Sequence, residues 1–295
     1  SNTEGTGTDH LDIGADGFQI TNTSWDVNHS GALYIYIAIR RGPMKVPEAG
    51  TEVYTPIARA GNNITTQVPT GFTVDMFLST TRDETWYHSV VFDRLRGTTP
   101  FLVTSSTAAE ASNTAQFTSF DNDGITVGPD GSGWINNATP TYVYHLFQRA
   151  PEFMDVVCYT GTGSAHTEAH GLGVAPELWI VKNRGSGGWC VGATSQGSLE
   201  YAYLNSNRYW ENASSANWNS TLPTASVFSV GTYTEINASS ATFVAYLFAT
   251  LAGVSKVGTY TGTAATLVVD CGFAAGARFV LMTTADVTGD WYVYD

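Results

Sequence analysis

The sequence predicts an all-β protein built from tandem antiparallel β-sandwich modules of about 100 residues each. Three observations predict it. The 295 residues hold 8 Trp, 15 Tyr and 14 Phe, with 43 % hydrophobic but only 13 % charged positions. That mix furnishes a core and favours strands over amphipathic helices. Turn pairs punctuate the chain densely, at Asp16-Gly17, Asp123-Gly124, Asp130-Gly131, Gly187-Gly188 and Gly289-Asp290. And the chain repeats its own landmarks at a spacing of roughly 100 residues.

The first landmark is an Asn six residues ahead of an aromatic that opens an apolar strand: Asn28 and Tyr34, Asn136 and Tyr142, Asn237 and Phe243. Alternation over residues 34–39 and 291–294 reads as strand. A second landmark equates Val53-Tyr54-Thr55 with Cys158-Tyr159-Thr160-Gly161 and Thr259-Tyr260-Thr261-Gly262, each closing a strand at a turn. A third aligns residues 75–78, 177–181 and 278–282, each reaching a Trp after a polar turn: Trp86, Trp189 and Trp291. The phase divides the chain in order. Residues 1–50 are the C-terminal half of a module, 51–152 and 153–257 are full modules, and 258–295 are an N-terminal half. Two arrangements fit this phase. The chain is a segment of a longer array, which is the preferred expectation, or its two halves complete one another and close a ring of three units.

Twenty-six acidic against thirteen basic residues give a formal charge of −13. This balance weighs against phosphate backbones and anionic membranes, so neither nucleic acid nor membrane insertion is expected. No apolar run approaches the roughly 18 residues of a spanning helix, and the start SNTEGTGTDH shows no basic-plus-apolar leader.

Chemistry-bearing constellations are sparse. Cys158, Cys190 and Cys271 are too scattered for a disulfide framework or zinc site and read as small buried hydrophobes. Asp83-Glu84 and Asp121-Asn122-Asp123 bring carboxylates together in predicted turns, where solvent keeps both members ionised; paired acid catalysis needs one of them buried. Asp121-x-Asp123-Gly124 begins like a calcium loop but lacks its closing Glu, and Asp123-Gly124 aligns with the hairpin turn Asp16-Gly17. His166 and His170 have a spacing compatible with a metal or base pair, yet no Glu accompanies them as in zinc proteases, and His170 aligns with Cys271. There is no Gly-x-Ser-x-Gly elbow, and Gly161-Thr-Gly163 precedes no helix or Lys. Asn28, Asn63, Asn137, Asn212 and Asn237 match the glycosylation triplet and read as turn residues. The expectation is a protein with no catalytic residues, cofactor or metal.

One loop stands apart. Residues 205–220 set large aromatics among Asn and Arg, the mixture that stacks a flat ring on a sugar face and offers donors to its hydroxyls. Trp218 belongs to the repeated pattern and reads as structural. Arg208, Tyr209 and Trp210 lie outside it and are the candidate glycan-binding residues, weighed against packing on a neighbouring module or subunit. The other recurring aromatics (Tyr34, Tyr142, Phe243, Trp86, Trp189, Trp291) read as core.

The ordered landmarks resemble a repeat module of bacteriophage tail-fibre-like virion structural proteins of the marine phage type. The carrying residues are Gly17-Phe18, Asn28-x-Ser30-Gly31 with Tyr34 through Met44, Phe153-x-Asp155-Val156-Val157 with Tyr159-Thr160-Gly161, and residues 171–177 (Gly-Leu-Gly-Val-Ala-Pro-Glu). Residues 181–184, Trp218-Asn219 with Pro223-Thr224, and 289–294 complete the set, which spans nearly the whole chain. The first full module departs most, with Thr139-Pro140 in place of the Ser30-Gly31 turn and no Gly-x-Gly-Val-Ala-Pro segment. The resemblance implies a non-enzymatic virion component exposed on the particle, assembled in the host cytoplasm from units stacked end to end. It implies other virion proteins as partners, a homo-oligomer with a trimer favoured, and a host surface glycan as ligand. A polysaccharide-degrading tailspike and a capsid-decorating spacer are the alternatives.

Overall fold

The computed structural model describes residues 11–13, 18–20, 28–34, 45–83, 88–212 and 215–294. They fall into two units, Ser1–Met44 and Lys45–Asp295. In the first, β1 (Leu11–Ile13) and β2 (Phe18–Ile20) pair antiparallel with Ile13 opposite Phe18. The Asp16-Gly17 turn, residues 35–40 of the expected apolar strand, and Trp86 lie outside the described residues.

The second unit is almost wholly antiparallel β, as the composition predicts. Its strands begin with β3 (Tyr54–Ala60), β4 (Thr66–Pro69), β5 (Met76–Thr81), β6 (Val90–Asp93), β7 (Pro100–Val103), β8 (Ala111–Ser112), β9 (Phe117–Phe120), β10 (Gly124–Val127) and β11 (Thr141–Phe147). There follow β12 (Met154–Thr160), β13 (His166–Ala169), β14 (Leu178–Asn183), β15 (Trp189–Ala193), β16 (Glu200–Tyr203), β17 (Glu211–Asn212) and β18 (Val227–Val230). A single-turn helix α1 (Thr234–Asn237) precedes β19 (Thr242–Phe248), and β20 (Val280–Met282) with β21 (Tyr292–Tyr294) form a closing hairpin.

The strand orders of the two six-stranded sheets match: β3-β11-β5-β6-β7-β8 and β12-β19-β14-β15-β16-β17. In each, the last long strand enters between the first and the third. Their registers match as well. Tyr54 faces Phe147 and Ala60 faces Thr141 in the first; Met154 faces Phe248 and Thr160 faces Thr242 in the second. The counterpart of Tyr54 is therefore Met154, which corrects the expected pairing of Tyr54 with Tyr159. A small sheet covers one face of each: β4-β10-β9 over the first, β13-β18 over the second.

Side-chain alternation sends neighbouring residues to opposite faces, and here both faces are buried. Phe77, Val90, Phe92, Phe101 and Tyr144 enter a core with Phe117 and Ile125 of the small sheet. Trp179, Val181, Cys190, Phe243 and Leu247 do the same with Phe228 and Val230. The intervening residues, Met76, Val91 and Leu102 of one sheet and Ile180, Val191, Val244 and Tyr246 of the other, meet in a third core shared by both. End-to-end stacking of these two halves is thereby replaced by face-to-face packing. Phe279, Leu281 and Trp291 of the β20–β21 hairpin pack against the same shared core, and the Phe279 ring lies 5.5 Å from Phe147 and 5.8 Å from Tyr54.

Three hydrogen bonds between the first and second sheets recur between the second sheet and the closing hairpin. Trp189 Nε1 donates to Val103 O (3.0 Å) as Trp291 Nε1 donates to Tyr203 O (3.0 Å). Gly187 N donates to Thr107 O as Gly289 N donates to Asn207 O, both at 2.9 Å. Glu110 N donates to Arg184 O (2.8 Å) as Trp210 N donates to Ala285 O (3.3 Å). One hairpin tip thus docks repeatedly on one ledge of the sheet before it.

In the second unit the repeated Asn is an internal brace. Asn136 and Asn237 are fully buried. Asn136 Nδ2 donates to Ile64 O and Gly128 O, and its Oδ1 accepts from Asn62 N. Asn237 Nδ2 donates to Ser164 O and Gly231 O while its Oδ1 accepts from Thr162 N. Asn237 is therefore a buried cross-link and not a surface turn residue. Beside each brace sits a glycine without room for a side chain: a Cβ on Gly61 would lie 1.7 Å from Asn137 O, and one on Gly161 would lie 2.3 Å from Ala238 O.

Candidate functional site

The loop joining β16 to β17 carries the candidate glycan residues, and its ends are held on both sides. Asn205 Oδ1 accepts from Trp189 N (2.8 Å), Asn207 O from Gly289 N, and Trp210 N reaches Ala285 O. This clamping separates the three candidates. Trp210 is 8 % exposed and sits in the shared core. Its ring is committed to packing and offers no face to a ligand, which corrects its expected role. Tyr209 is 53 % exposed. Arg208, also exposed, pairs with Glu211 (Nη2 to Oε1, 2.5 Å), and Tyr201 OH donates to the other Glu211 oxygen (3.3 Å). The accessible site is thus a phenol ring beside an arginine–glutamate pair, a surface that stacks and hydrogen-bonds with little net charge.

The remaining sequence candidates are absorbed by structure. Trp218 is buried against Trp179 (5.4 Å, edge-on), with Nε1 donating to Glu200 O. Trp189, Tyr142 and Phe243 are core residues, while Tyr34 is 40 % exposed. Asp121 accepts the Ser119 and Thr126 hydroxyls (2.6 and 2.7 Å), and Asp123 O accepts the amides of Thr70 and Gly71. Asp83 caps Thr141 N, which lowers its carboxyl below the ordinary range; Glu84 lies outside the described residues. His166 Nε2 contacts Glu168 on the same strand β13 (2.8 Å), whereas His170 Nε2 bonds Thr224 O in the segment before β18 (3.0 Å), so the two rings have different partners. Among the described residues no group of three or more His, Cys, Asp or Glu is placed to hold a metal.

Two buried polar clusters were not legible in the sequence. At the contact of the two large sheets, Arg96 Nε donates to Asp93 (2.6 Å), Nη1 to Glu110 (2.9 Å), and Nη2 to Val91 O and the Tyr246 hydroxyl (both 3.1 Å). Tyr246 OH donates to Asp93 (2.8 Å), and Arg184 closes on Glu110 with two bonds of 2.7 and 2.9 Å. Burial alone would depress the Arg96 guanidinium, but its oxygen partners hold it above its ordinary value. Burial alone would raise the Glu110 carboxyl, and the bonds from Arg184 and Arg96 outweigh it and bring it below the ordinary range. In the second cluster, Lys182 is fully buried and donates to Ala108 O (3.1 Å) and Asn183 O (2.7 Å); desolvation brings its ammonium down to about 8. Nearby, Cys190 Sγ lies 3.7 Å from Glu235, and burial pushes its thiol well above the ordinary value. Arg96, Asp93, Lys182 and Cys190 are sealed from solvent while Arg184, Glu110 and Glu235 are half-buried at the edge, and the bonds of both clusters tie the two sheets together.

Residues 50–295 match a family model described as a domain of unknown function, DUF7483. No curated protein and no solved structure matches the chain.

Proposed function

We infer that this chain, which belongs to the DUF7483 family, is a non-enzymatic structural protein made of tandem β-sandwich modules, a virion fibre or related surface appendage whose loops engage host glycans. The observation that carries the reading is the repeated docking of a hairpin tip on the ledge of the preceding sheet through the same three hydrogen bonds. An interface that recurs along one chain builds an extended, quasi-regular scaffold. The sequence resemblance supplies the virion setting. In it other virion proteins and further copies of the chain are partners, and high copy number converts weak single-site binding into avidity.

The inaccessibility of Arg96, Asp93 and Lys182 favours the non-enzymatic reading, because a catalytic acid or base must reach a substrate and these three are closed off by protein. The glycan site is Tyr209 with Arg208, presented on a loop whose neighbour Trp210 anchors it.

The test is binding of the purified chain to intact bacterial cells and to their extracted surface polysaccharide, with reducing-sugar release read from the same tubes. Tyr209→Ala should abolish binding while leaving stability within about 0.5 kcal/mol, as befits an exposed side chain. Trp210→Ala should destabilise by about 3–5 kcal/mol. Binding unaffected by Tyr209→Ala removes the assigned site, absence of binding by either protein leaves a structural spacer, and sugar release overturns the non-enzymatic reading in favour of a tailspike.

A further inference from the structure

We propose that Tyr203 and Tyr233 form an oxidative cross-linking site, at which a one-electron oxidant joins the two phenol rings into a dityrosine within one chain. The site stands apart from both the glycan reading and the tandem-module reading.

The two hydroxyl oxygens lie 2.6 Å apart, across 30 positions of sequence. Burial raises both phenols above their ordinary value, so each keeps its proton near neutral pH and one donates to the other. Framework bonds hold both residues in place. Tyr203 ends β16, where it pairs with Cys190, and its carbonyl accepts Trp291 Nε1 (3.0 Å). Tyr233 N donates to Ala216 O (2.9 Å), and Tyr233 O accepts Asn237 N (2.8 Å) at the turn of α1. Gly188 makes room for the Tyr203 ring, since a Cβ there would lie 2.4 Å from it. Tyr201 stands edge-on to both rings, 5.3 Å from Tyr203 and 6.1 Å from Tyr233, and props them from one side. All three tyrosines are half-buried, so a small oxidant reaches them while protein atoms fix their directions. At the same register the first large sheet sets Val103 opposite Val90, so Tyr203 has no counterpart there.

The arrangement matches what the product needs. A dityrosine joins its rings at the carbons next to the hydroxyls, which leaves the two oxygens side by side and hydrogen-bonded to each other. The folded chain already holds them in contact. Each phenol gives one electron to the oxidant and one proton to solvent, and the two radicals couple at carbons ortho to oxygen to form one C–C bond. The hydrogens on those carbons then move to the oxygens and restore both phenols. The chain thereby loses two hydrogens, and two equivalents of the oxidant are reduced. Exposed tyrosines such as Tyr209 and Tyr260 yield electrons as well. Their radicals couple efficiently only where a second phenol is held within reach. Tyr292 and Tyr294, stacked 6.3 Å apart on β21, are the rival pair. A link between Tyr203 and Tyr233 fastens β16 to the segment before α1 and closes the stretch of chain that bears Arg208 and Tyr209.

The test is photo-oxidation of the dilute full chain with light-generated tris(bipyridyl)ruthenium(III), followed by fluorescence and by peptide mapping with mass spectrometry. Dityrosine fluorescence is expected in single chains, together with a linked peptide pair, lighter by two hydrogens, that joins Tyr203 to Tyr233. Tyr203→Phe and Tyr233→Phe, which each remove one oxygen, should abolish that pair, whereas Tyr209→Phe and Tyr292→Phe should leave it. The linked chain should unfold at a higher urea concentration, because the bond closes a loop in the unfolded state. Mapping of the unsubstituted chain needs no variant, so the assignment stays falsifiable even where a Phe variant misfolds. A link found only at Tyr292 and Tyr294, or only between chains, overturns the proposal. So does the absence of any link, or a link at Tyr203 that survives Tyr233→Phe.

Discussion

Replacing Arg96 with Met isolates the energetics of the shared core. The guanidinium and the Asp93 carboxylate are wholly inaccessible, and Arg96 supplies four side-chain contacts to Asp93, Glu110, Val91 O and Tyr246. Glu110 keeps its two bonds from Arg184 after the change, but Asp93 is left with one backbone amide and one tyrosine hydroxyl. A buried carboxylate stripped of its cation costs about 3–5 kcal/mol, far above the 0–1 kcal/mol of a surface pair. Urea unfolding followed by tryptophan fluorescence reads the loss as a lowered midpoint. Removing Asp93 as well, in Asp93→Leu with Arg96→Met, should recover a large part of it, because the uncompensated charge goes too. The sign with pH is fixed by Glu110, whose folded carboxyl lies below its ordinary value: its contribution is present above the unfolded carboxyl pKa and is lost as pH falls through the folded one. A loss under about 1 kcal/mol for Arg96→Met, the scale of an exposed pair, would refute the reasoning.

Two further outcomes are expected. Lys182 titrates near 8 in the folded chain against an ordinary value of 10.5, so the unfolded chain binds more protons between those values and this group's contribution to stability rises with pH across them. Because Cys158, pushed up to about 12, acts in the opposite sense, the check is the difference between the chain and Lys182→Met from pH 7 to 9.5, which should grow in favour of the unsubstituted chain. Gly61→Ala and Gly161→Ala should each destabilise by at least the roughly 1–3 kcal/mol of an overpacked site, since each added Cβ meets a backbone carbonyl. Thermal melts in which one variant falls and the other does not would deny that the two glycines hold equivalent places.

Much of the fold was legible because local physics wrote it. Strand character followed from aromatic and β-branched alternation, and the repeat was visible because the Asn brace, the aromatic six residues later and the hairpin register recur as residue types. The register error at Tyr54 had a physical cause too: Tyr-Thr recurs in the sequence, but hydrogen bonding across the ladder, with Tyr54 on Phe147 and Met154 on Phe248, decides equivalence. Asn237 reads as a turn residue because its polar, small-residue surroundings mark a turn, while its burial comes from Ser164, Thr162 and Gly231, distant or looped-back segments that its amide bridges. Trp210 was misread for a related reason. In sequence it sits among polar loop residues, and only the β20–β21 hairpin, some seventy-odd positions later, covers it.

The sequence by itself determined the all-β class, the recurrence of its landmarks and the low charge. It determined these because strand propensity, turn chemistry and periodicity act between residues close along the chain. Only the tertiary structure decided that the two large sheets share a core face to face, and that Arg96, Asp93, Glu110, Arg184 and Tyr246 form one buried network. Contacts in that network reach across the chain, 74 positions between Glu110 and Arg184 and 150 between Arg96 and Tyr246. Whether a strand's second face meets water or another sheet depends on which element arrives to cover it, and local alternation carries no record of that arrival.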